Sequence, residues 1–400
     1  MHVRSLAACC AGARLHLKGW LAGRRRGILV AALAALALAA ASAAATPALA
    51  AGARVPAAST AAASARWHSQ HIPSGLTDLH LQSVSCAKDA KHCMTGGIFC
   101  SVSGCGGLIS FGVLTTTNGG ASWKKRSLPK NLGDIGPISC GSTTFCAAPV
   151  IKGPLGPNVK ESLLVTRNGG SSWTVVTAPN DDQVQDVSCP AAATCFGTSY
   201  LGSNGVIDKT TDGGRKWKTT KAPAAGLTKI SCSSATHCIA LAEDGSAFIY
   251  TTNGSSWHLV TAPGSPELGT ISCSSQSACD AAGSNSSDTA HVVLATANGG
   301  KSWTTKSLPA ALDEVTGIAC GSAKRCIVVG EVEVTSTSSN KAIFATTNGG
   351  SSWTKQSLPS GTDSISGAWC SAKAYCLASG AYLTSSKGTI TGVGPYMLAS

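Results

Sequence analysis

Thr116-Thr117-Asn118-Gly119-Gly120-Ala121-Ser122-Trp123 is one copy of a turn, Thr-x-Asn/Asp-Gly-Gly-x-x-Trp, that this chain carries six times, five of them in full. Asn-Gly and Asp-Gly tolerate positive φ and therefore close tight hairpins. Between the turns runs a second signal: an apolar-Ser-Cys stretch followed by another cysteine, as in Ile138-Ser139-Cys140 and Cys146. Two interleaved signals with a period of roughly 45 residues imply a stacked or circular array, in which each unit buries its apolar face on the next.

Aligned on Trp67, Trp123, Trp173, Trp217, Trp257, Trp303 and Trp353, each copy continues into a short polar stretch and a proline, from Pro73 to Pro359. The apolar-Ser-Cys run follows, then an apolar run after the second cysteine (Cys238-Ile239-Ala240-Leu241), then a third run that enters the turn (Ala342-Ile343-Phe344-Ala345). That makes four short strands per repeat, the unit of a propeller blade. A charged fraction of only 12%, with abundant Gly, Ser and Thr, suits strands and tight turns better than helices. Trp67 opens a partial repeat, and the stretch from Trp369 to Ser400 supplies its complement. The expected fold is all-β, a single seven-bladed β-propeller of four-stranded blades over residues 67–400, its ring closed by the N-terminal strand joining the C-terminal blade. Closure removes the open sheet edge. A β-solenoid, the competing architecture, is expected to end in polar caps rather than complementary half-repeats.

The turn resembles the Asp-box, or BNR, repeat, Ser/Thr-x-Asp-x-Gly-x-x-Trp. Thr116, Asn118, Gly120 and Trp123 match it, as do Thr166, Asn168, Gly170 and Trp173; Thr210, Asp212, Gly214 and Trp217 keep the family's Asp. Asn298 with Trp303 and Asn348 with Trp353 continue the series, and the copy Asn253-Gly254-Ser255-Ser256-Trp257 is one residue short, so its turn is expected to differ. The resemblance implies a sialidase-like propeller with the boxes on the face away from the ligand site. The Asx side chain reads as a brace for local backbone N–H groups, and the Trp ring is expected to pack into its own blade.

Residues 1–50 read as a signal peptide. Arg24-Arg25-Arg26 precede an uncharged run from Gly27 to Ala45, and Ala48-Leu49-Ala50 fits a small-x-small cleavage site. Both the general and the twin-arginine export routes fit this pattern, and a retained membrane anchor is the competing reading. Residues 51–66, rich in Ala and Ser, read as a linker. The signal carries six basic residues and no acidic ones, so the net charge of +12 falls to +6 on its removal. The high pI is therefore weak support for nucleic-acid binding.

Sixteen cysteines remain outside the signal. Seven local pairs, Cys86/Cys93, Cys140/Cys146, Cys189/Cys195, Cys232/Cys238, Cys273/Cys279, Cys320/Cys326 and Cys370/Cys376, each join the end of one strand to the start of the next. Cys100/Cys105 forms an eighth candidate. An even count in an exported chain favours disulfides. Zinc would need four sulfurs to converge, and successive pairs sit on separate blades. No Cys-x-x-Cys redox motif occurs.

In a propeller the disulfide hairpins and Asn-Gly turns share one face, and the blade-to-blade connectors lie on the other. The turn face collects Lys88, Lys91, Arg167, Arg215, Lys216, Lys301, Lys324, Arg325 and Lys373, against Asp89 and Asp212. The connectors collect Asp78, Asp134, Asp181, Asp182, Asp186, Glu267, Asp313, Glu314 and Asp363. This acidic rim is the expected ligand face, suited to a cationic ligand, Ca2+ or a sugar; charge for solubility is the alternative.

Sialidases and some endoglucanases share the resembled repeat. Sialidase chemistry needs an arginine trio, and the six arginines after residue 50 (Arg54, Arg66, Arg126, Arg167, Arg215 and Arg325) do not converge on the connector face. A carboxylate-pair glycoside hydrolase remains the alternative, with Asp182, Asp313 and Asp363 the acids to test first. Propellers that assist photosystem II assembly share the repeat too and bind a protein partner. The expected function is thus an exported, non-catalytic binding or scaffolding module for a cell-envelope glycan or a protein. It is read as a secreted or cell-surface monomer with no cofactor or metal, no nucleic-acid partner and no membrane contact after signal removal.

Overall fold

The computed structural model describes residues 67–400 apart from 74–75, 77–78, 101–108, 153–159, 179–182, 202–203, 244, 336–337, 361, 363, 374 and 387–388. The segments read as signal peptide and linker lie outside the described residues. The described chain forms seven antiparallel sheets and no helix. Strand β1 (His68–Ser69) belongs to the last blade. Blade 1 holds β2 (Leu79–Cys86), β3 (Cys93–Cys100), β4 (Ile109–Thr116) and β5 (Lys124–Arg126). Blade 2 holds β6 (Leu132–Ile135), β7 (Ser139–Cys140), β8 (Cys146–Lys152), β9 (Lys160–Thr166) and β10 (Thr174–Thr177). Its inner strand is split at Gly136-Pro137, where proline has no N–H to give the ladder.

Blade 3 holds β11 (Gln183–Ala191), β12 (Thr194–Leu201), β13 (Asn204–Thr210) and β14 (Lys218–Lys221). Blade 4 holds β15 (Leu227–Cys232), β16 (Cys238–Ala242), β17 (Ala247–Thr251) and β18 (His258–Thr261). Blade 5 holds β19 (Glu267–Cys273), β20 (Cys279–Ser284), β21 (His291–Thr296) and β22 (Thr304–Ser307). Blade 6 holds β23 (Glu314–Ser322), β24 (Arg325–Thr335), β25 (Ser338–Thr346) and β26 (Thr354–Lys355). Blade 7 holds β27 (Ser364–Cys370), β28 (Cys376–Ser386), β29 (Thr389–Ala399) and, as its outer strand, β1. His68 pairs with Ala399 and Ser69 with Leu398, so the ring closes as the half-repeats imply.

The second strand of each blade is apolar on both faces because a blade has a neighbour on each side. In β16, Cys238 and Ala240 pack toward blade 3 while Ile239 and Leu241 pack toward blade 5, the period-2 alternation of a strand. The core is accordingly seven apolar layers, one per junction. Here the tryptophans do more than the sequence implies. They sit in the junction layers, among residues of their own blade and of the preceding one: Trp303 of blade 5 shares a layer with Val292 and Leu294 of its own blade and stacks on Phe248 of blade 4, ring centroids 3.8 Å apart and 8° from parallel. Trp257 meets Phe196 of blade 3 edge-on at 6.2 Å, and Trp123 sits among Leu377 and Met397 of blade 7. The turn delivers the ring to the sheet's outer flank, where the apolar surface still to be covered belongs to the preceding blade.

The Ser of the Ser-Cys motif has a role the pattern alone did not reveal. Ser85, Ser139, Ser188, Ser231 and Ser272 each accept, through Oγ, the backbone N–H of the cysteine opening the next blade's hairpin (Cys140, Cys189, Cys232, Cys273 and Cys320), at 2.9–3.0 Å. Inner strands of adjacent blades do not ladder together, so a side chain must satisfy these donors. The seven local cysteine pairs are disulfides, Cys86–Cys93, Cys140–Cys146, Cys189–Cys195, Cys232–Cys238, Cys273–Cys279, Cys320–Cys326 and Cys370–Cys376. The Cys100/Cys105 pair lies outside the described residues through Cys105.

Candidate functional site

Each full turn is a closed hydrogen-bond unit. In blade 5, Thr296 Oγ1 donates to Asn298 Oδ1 and accepts from the N–H groups of Asn298 and Gly300. Asn298 Oδ1 also accepts from Ser302 N, and its Nδ2 donates to Ser302 Oγ. Two consecutive glycines stand in the left-handed region (Gly299 φ 74°, Gly300 φ 93°), which a side chain would strain. The first of them docks the turn on its own disulfide hairpin, Gly299 N donating to Ser277 O at 2.9 Å; Gly119, Gly169, Gly213 and Gly349 do the same in their blades. Asp212 takes the Asn position where Lys216, not Ser, precedes the tryptophan. Hydrogen bonds from the Lys216 and Arg215 N–H groups and the Thr210 hydroxyl hold its carboxyl below its usual pKa. These Asx residues are turn braces.

Blade 4 differs as its sequence requires. Thr251 Oγ1 accepts directly from Gly254 N at 2.9 Å, one residue earlier than in the other copies, and only one left-handed glycine (Gly254, φ 68°) remains. The missing residue is the glycine that docks the other turns on their hairpins. Lys209 of blade 3 reaches Gly254 O at 2.8 Å, as Lys306 of blade 5 reaches Gly349 O in the full turn of blade 6. A cleft of about 670 Å³ opens beside this shortened turn. His237 and Thr252 of blade 4 and Gln276, Ser277, Asn298 and Lys301 of blade 5 line it. Gln276 Nε2 donates to Ser234 Oγ (3.4 Å), tying the two hairpins together at its edge. The cleft lies on the turn face. Sequence reasoning looked to the opposite face and missed it, although the deletion in the fourth turn was its visible signal.

The predicted acidic residues of the connector face do not form one group. Glu267, Asp313 and Glu314 are exposed, at the starts of blades 5 and 6. Asp313 N donates to Glu331 O, and Glu314 lies opposite Glu331, which pairs with Lys341. Asp134 lies within β6 and is half-buried. Asp181, Asp182 and Asp363 fall outside the described residues. Asp186 requires a correction of place: it is buried inside β11, not on a connector. Its carboxylate accepts the N–H groups of Val187 (2.9 Å) and of Ile230 in blade 4 (3.0 Å). Ser83 and Thr270 take the same bond from the next blade at equivalent positions, so Asp186 is a junction brace. Burial raises its pKa, although nearby Lys229 and the two N–H groups oppose the shift.

Two more carboxyls are buried. Asp208 accepts the hydroxyls of Ser199 and Thr219, both at 2.6 Å, while burial raises its pKa. Asp280 faces blade 6, with Oδ2 at 3.5 Å from Cys320 Sγ and 3.7 Å from Cys326 Sγ. Burial pushes its pKa up to about 6 against the opposing charge of Lys306. This is the one grouping of metal-ligand side chains among the described residues, and its two sulfurs are joined as a disulfide, which leaves no thiolate to hold a metal.

No family model and no curated protein matches this chain. Solved structures do. YCF48 bound to a D1 peptide is similar at 16% identity and TM-score 0.52, covering 83% of this chain and 96% of its own. U3-55K is similar at 9% identity and TM-score 0.57, covering 84% of this chain and 98% of its own. A catalytically inactive virginiamycin B lyase from Staphylococcus aureus with quinupristin stands at 11% identity and TM-score 0.56, over 84% and 99%. The fold is a seven-bladed β-propeller. At these identities the likeness shows the fold alone, and the fold serves both binding proteins and a lyase. The seven disulfides are consistent with an extracellular protein.

Proposed function

We propose that this chain is an exported, non-catalytic Asp-box propeller that acts as a binding module for a cell-envelope glycan. The observation that carries the reading is the cleft beside the shortened fourth turn, lined by the hydroxyls of Thr252, Ser275 and Ser277, the Gln276 amide, the His237 imidazole and the Lys301 ammonium group. Such a lining makes many hydrogen bonds to hydroxyl-rich ligands and contains no carboxylate pair to cleave them. Asp186, one of the acids considered for the opposite face, is committed to backbone N–H groups of two blades. Export rests on the basic, apolar, small-residue order of residues 1–50.

A glycan array and a hydrolysis screen on the secreted protein test the reading together. The expected result is binding without turnover, abolished by Ser277→Trp, which fills the cleft from an exposed position while leaving the melting temperature unchanged. Turnover of a β-glucan overturns the non-catalytic reading. Array binding that survives Ser277→Trp overturns the cleft as its seat.

A further inference from the structure

The turn face carries nine cationic side chains and two acidic ones, and both acids are engaged locally. Asp89 accepts the N–H groups of Lys91 and His92 and pairs with the His92 ring, and Asp212 braces its own turn. Lys88, Lys91, Lys216, Lys301, Lys324 and Lys373 are exposed, and none has an ion pair among the described residues. Arg167 and Arg215 stand close enough that burial, with the Arg215 charge, lowers the pKa of Arg167. The cations come from blades 1, 2, 3, 5, 6 and 7 and so encircle the face. Blade 4 adds none, and the cleft opens on its side that faces blade 5, with Lys301 at the rim.

We propose that the turn face is the binding surface for an anionic glycopolymer, bearing phosphate or carboxylate along its length, and that the cleft between blades 4 and 5 receives one of its charged units beside Lys301. The proposal rests on the binding-module reading and names the ligand class of the same face. Cations set around a ring are met in sequence by a flexible chain that follows the annulus, whereas a rigid duplex crosses only a chord of it. Single-stranded nucleic acid is bound by aromatic platforms on which bases stack. This cleft is lined instead by hydroxyl, amide, imidazole and ammonium groups, which suit sugar hydroxyls and an anionic substituent.

The probes are a glycerol-phosphate polymer and polygalacturonate, one for each anion source, with dextran and double-stranded DNA as comparators. Binding of either polyanion is expected to weaken roughly tenfold between about 50 and about 200 mM salt, as for a few released counterions. Lys301→Glu is expected to lower affinity at least about fivefold, and Lys301→Glu with Lys324→Glu and Arg325→Glu to abolish binding. Lys130→Glu, on the opposite face, is expected to leave affinity unchanged. The single variant is at an exposed position and reads the surface even if the triple variant fails to fold. The phosphate polymer binding better assigns a phosphodiester ligand, and the uronate binding better assigns a carboxylate one. Equal loss in Lys130→Glu and Lys301→Glu, dextran binding as tightly as either polyanion, or DNA binding as tightly per charge overturns the proposal. Array binding of neutral glycans with no polyanion binding overturns this ligand class and leaves the binding reading in place; glycan turnover overturns that reading instead.

Discussion

The two junctions that flank blade 5 use the same repeat positions and hold together differently. Toward blade 4, Ile239, Leu241 and Phe248 present a bulky apolar surface, and Trp303 lies flat against it, 8% exposed. Toward blade 6 the equivalent positions are Asp280, Ala282 and Val293, and Trp353 is only half-buried. The residue after the second hairpin cysteine is apolar in the other six blades (Met94, Ala147, Phe196, Ile239, Ile327 and Leu377) and is a carboxyl only here. One junction is an aromatic stack; the other tolerates a buried acid beside a disulfide. A repeat therefore sets which positions meet, while the volume and charge at those positions set how strongly.

The largest expected effect is at the stacked junction. Trp303→Ala removes the ring from Phe248 and is expected to cost about 3–5 kcal/mol of unfolding free energy, whereas Trp353→Ala costs visibly less. Thermal melting of the two variants checks this, and equal losses would erase the contrast.

The acid at the other junction is next. Folded Asp280 keeps its proton up to about pH 6, while an unfolded aspartate releases it near 4, so stability falls as pH rises through that interval. Asp280→Asn is expected to gain about 2–3 kcal/mol at pH 7, with the gain vanishing toward pH 4. A pH-independent difference in melting temperature would show that the carboxyl is not what weakens this junction.

The smallest effect concerns what the junctions share. Ser231→Ala and Ser272→Ala each leave one backbone N–H, of Cys273 or Cys320, without its hydroxyl acceptor and are each expected to cost about 1 kcal/mol. Unequal costs in denaturant titrations would mean that the apolar difference reaches into the hydrogen-bonded ladder.

Local features were the most legible in sequence. The Asn-Gly-Gly turns and the seven described hairpin disulfides depend on residues a few positions apart and stand where their spacing implied, and the half-repeats at the two ends complement each other as their order implied. The tryptophans' partners in the preceding blades were not legible because a ring's partner across a junction lies dozens of residues away, as Phe248 does from Trp303. Asp186 misled for a related reason. An acid near a connector looks exposed until the strand is seen to begin before it and Ile230 N is seen to need an acceptor. The cleft was half-legible: the deletion in the fourth turn was plain, but not which face it opened or which blade's Lys301 stood beside it.

By itself the sequence determined the blade count, the closure and the braced turns, because these follow from short-range geometry repeated along the chain. Tertiary structure alone decided which side chains meet across the junctions, where a carboxyl is buried, and that a polar cleft opens on the cationic turn face that the repeat register had already implied. Those outcomes depend on curving seven sheets into one ring, which brings together residues whose separation in sequence carries no signal of their contact.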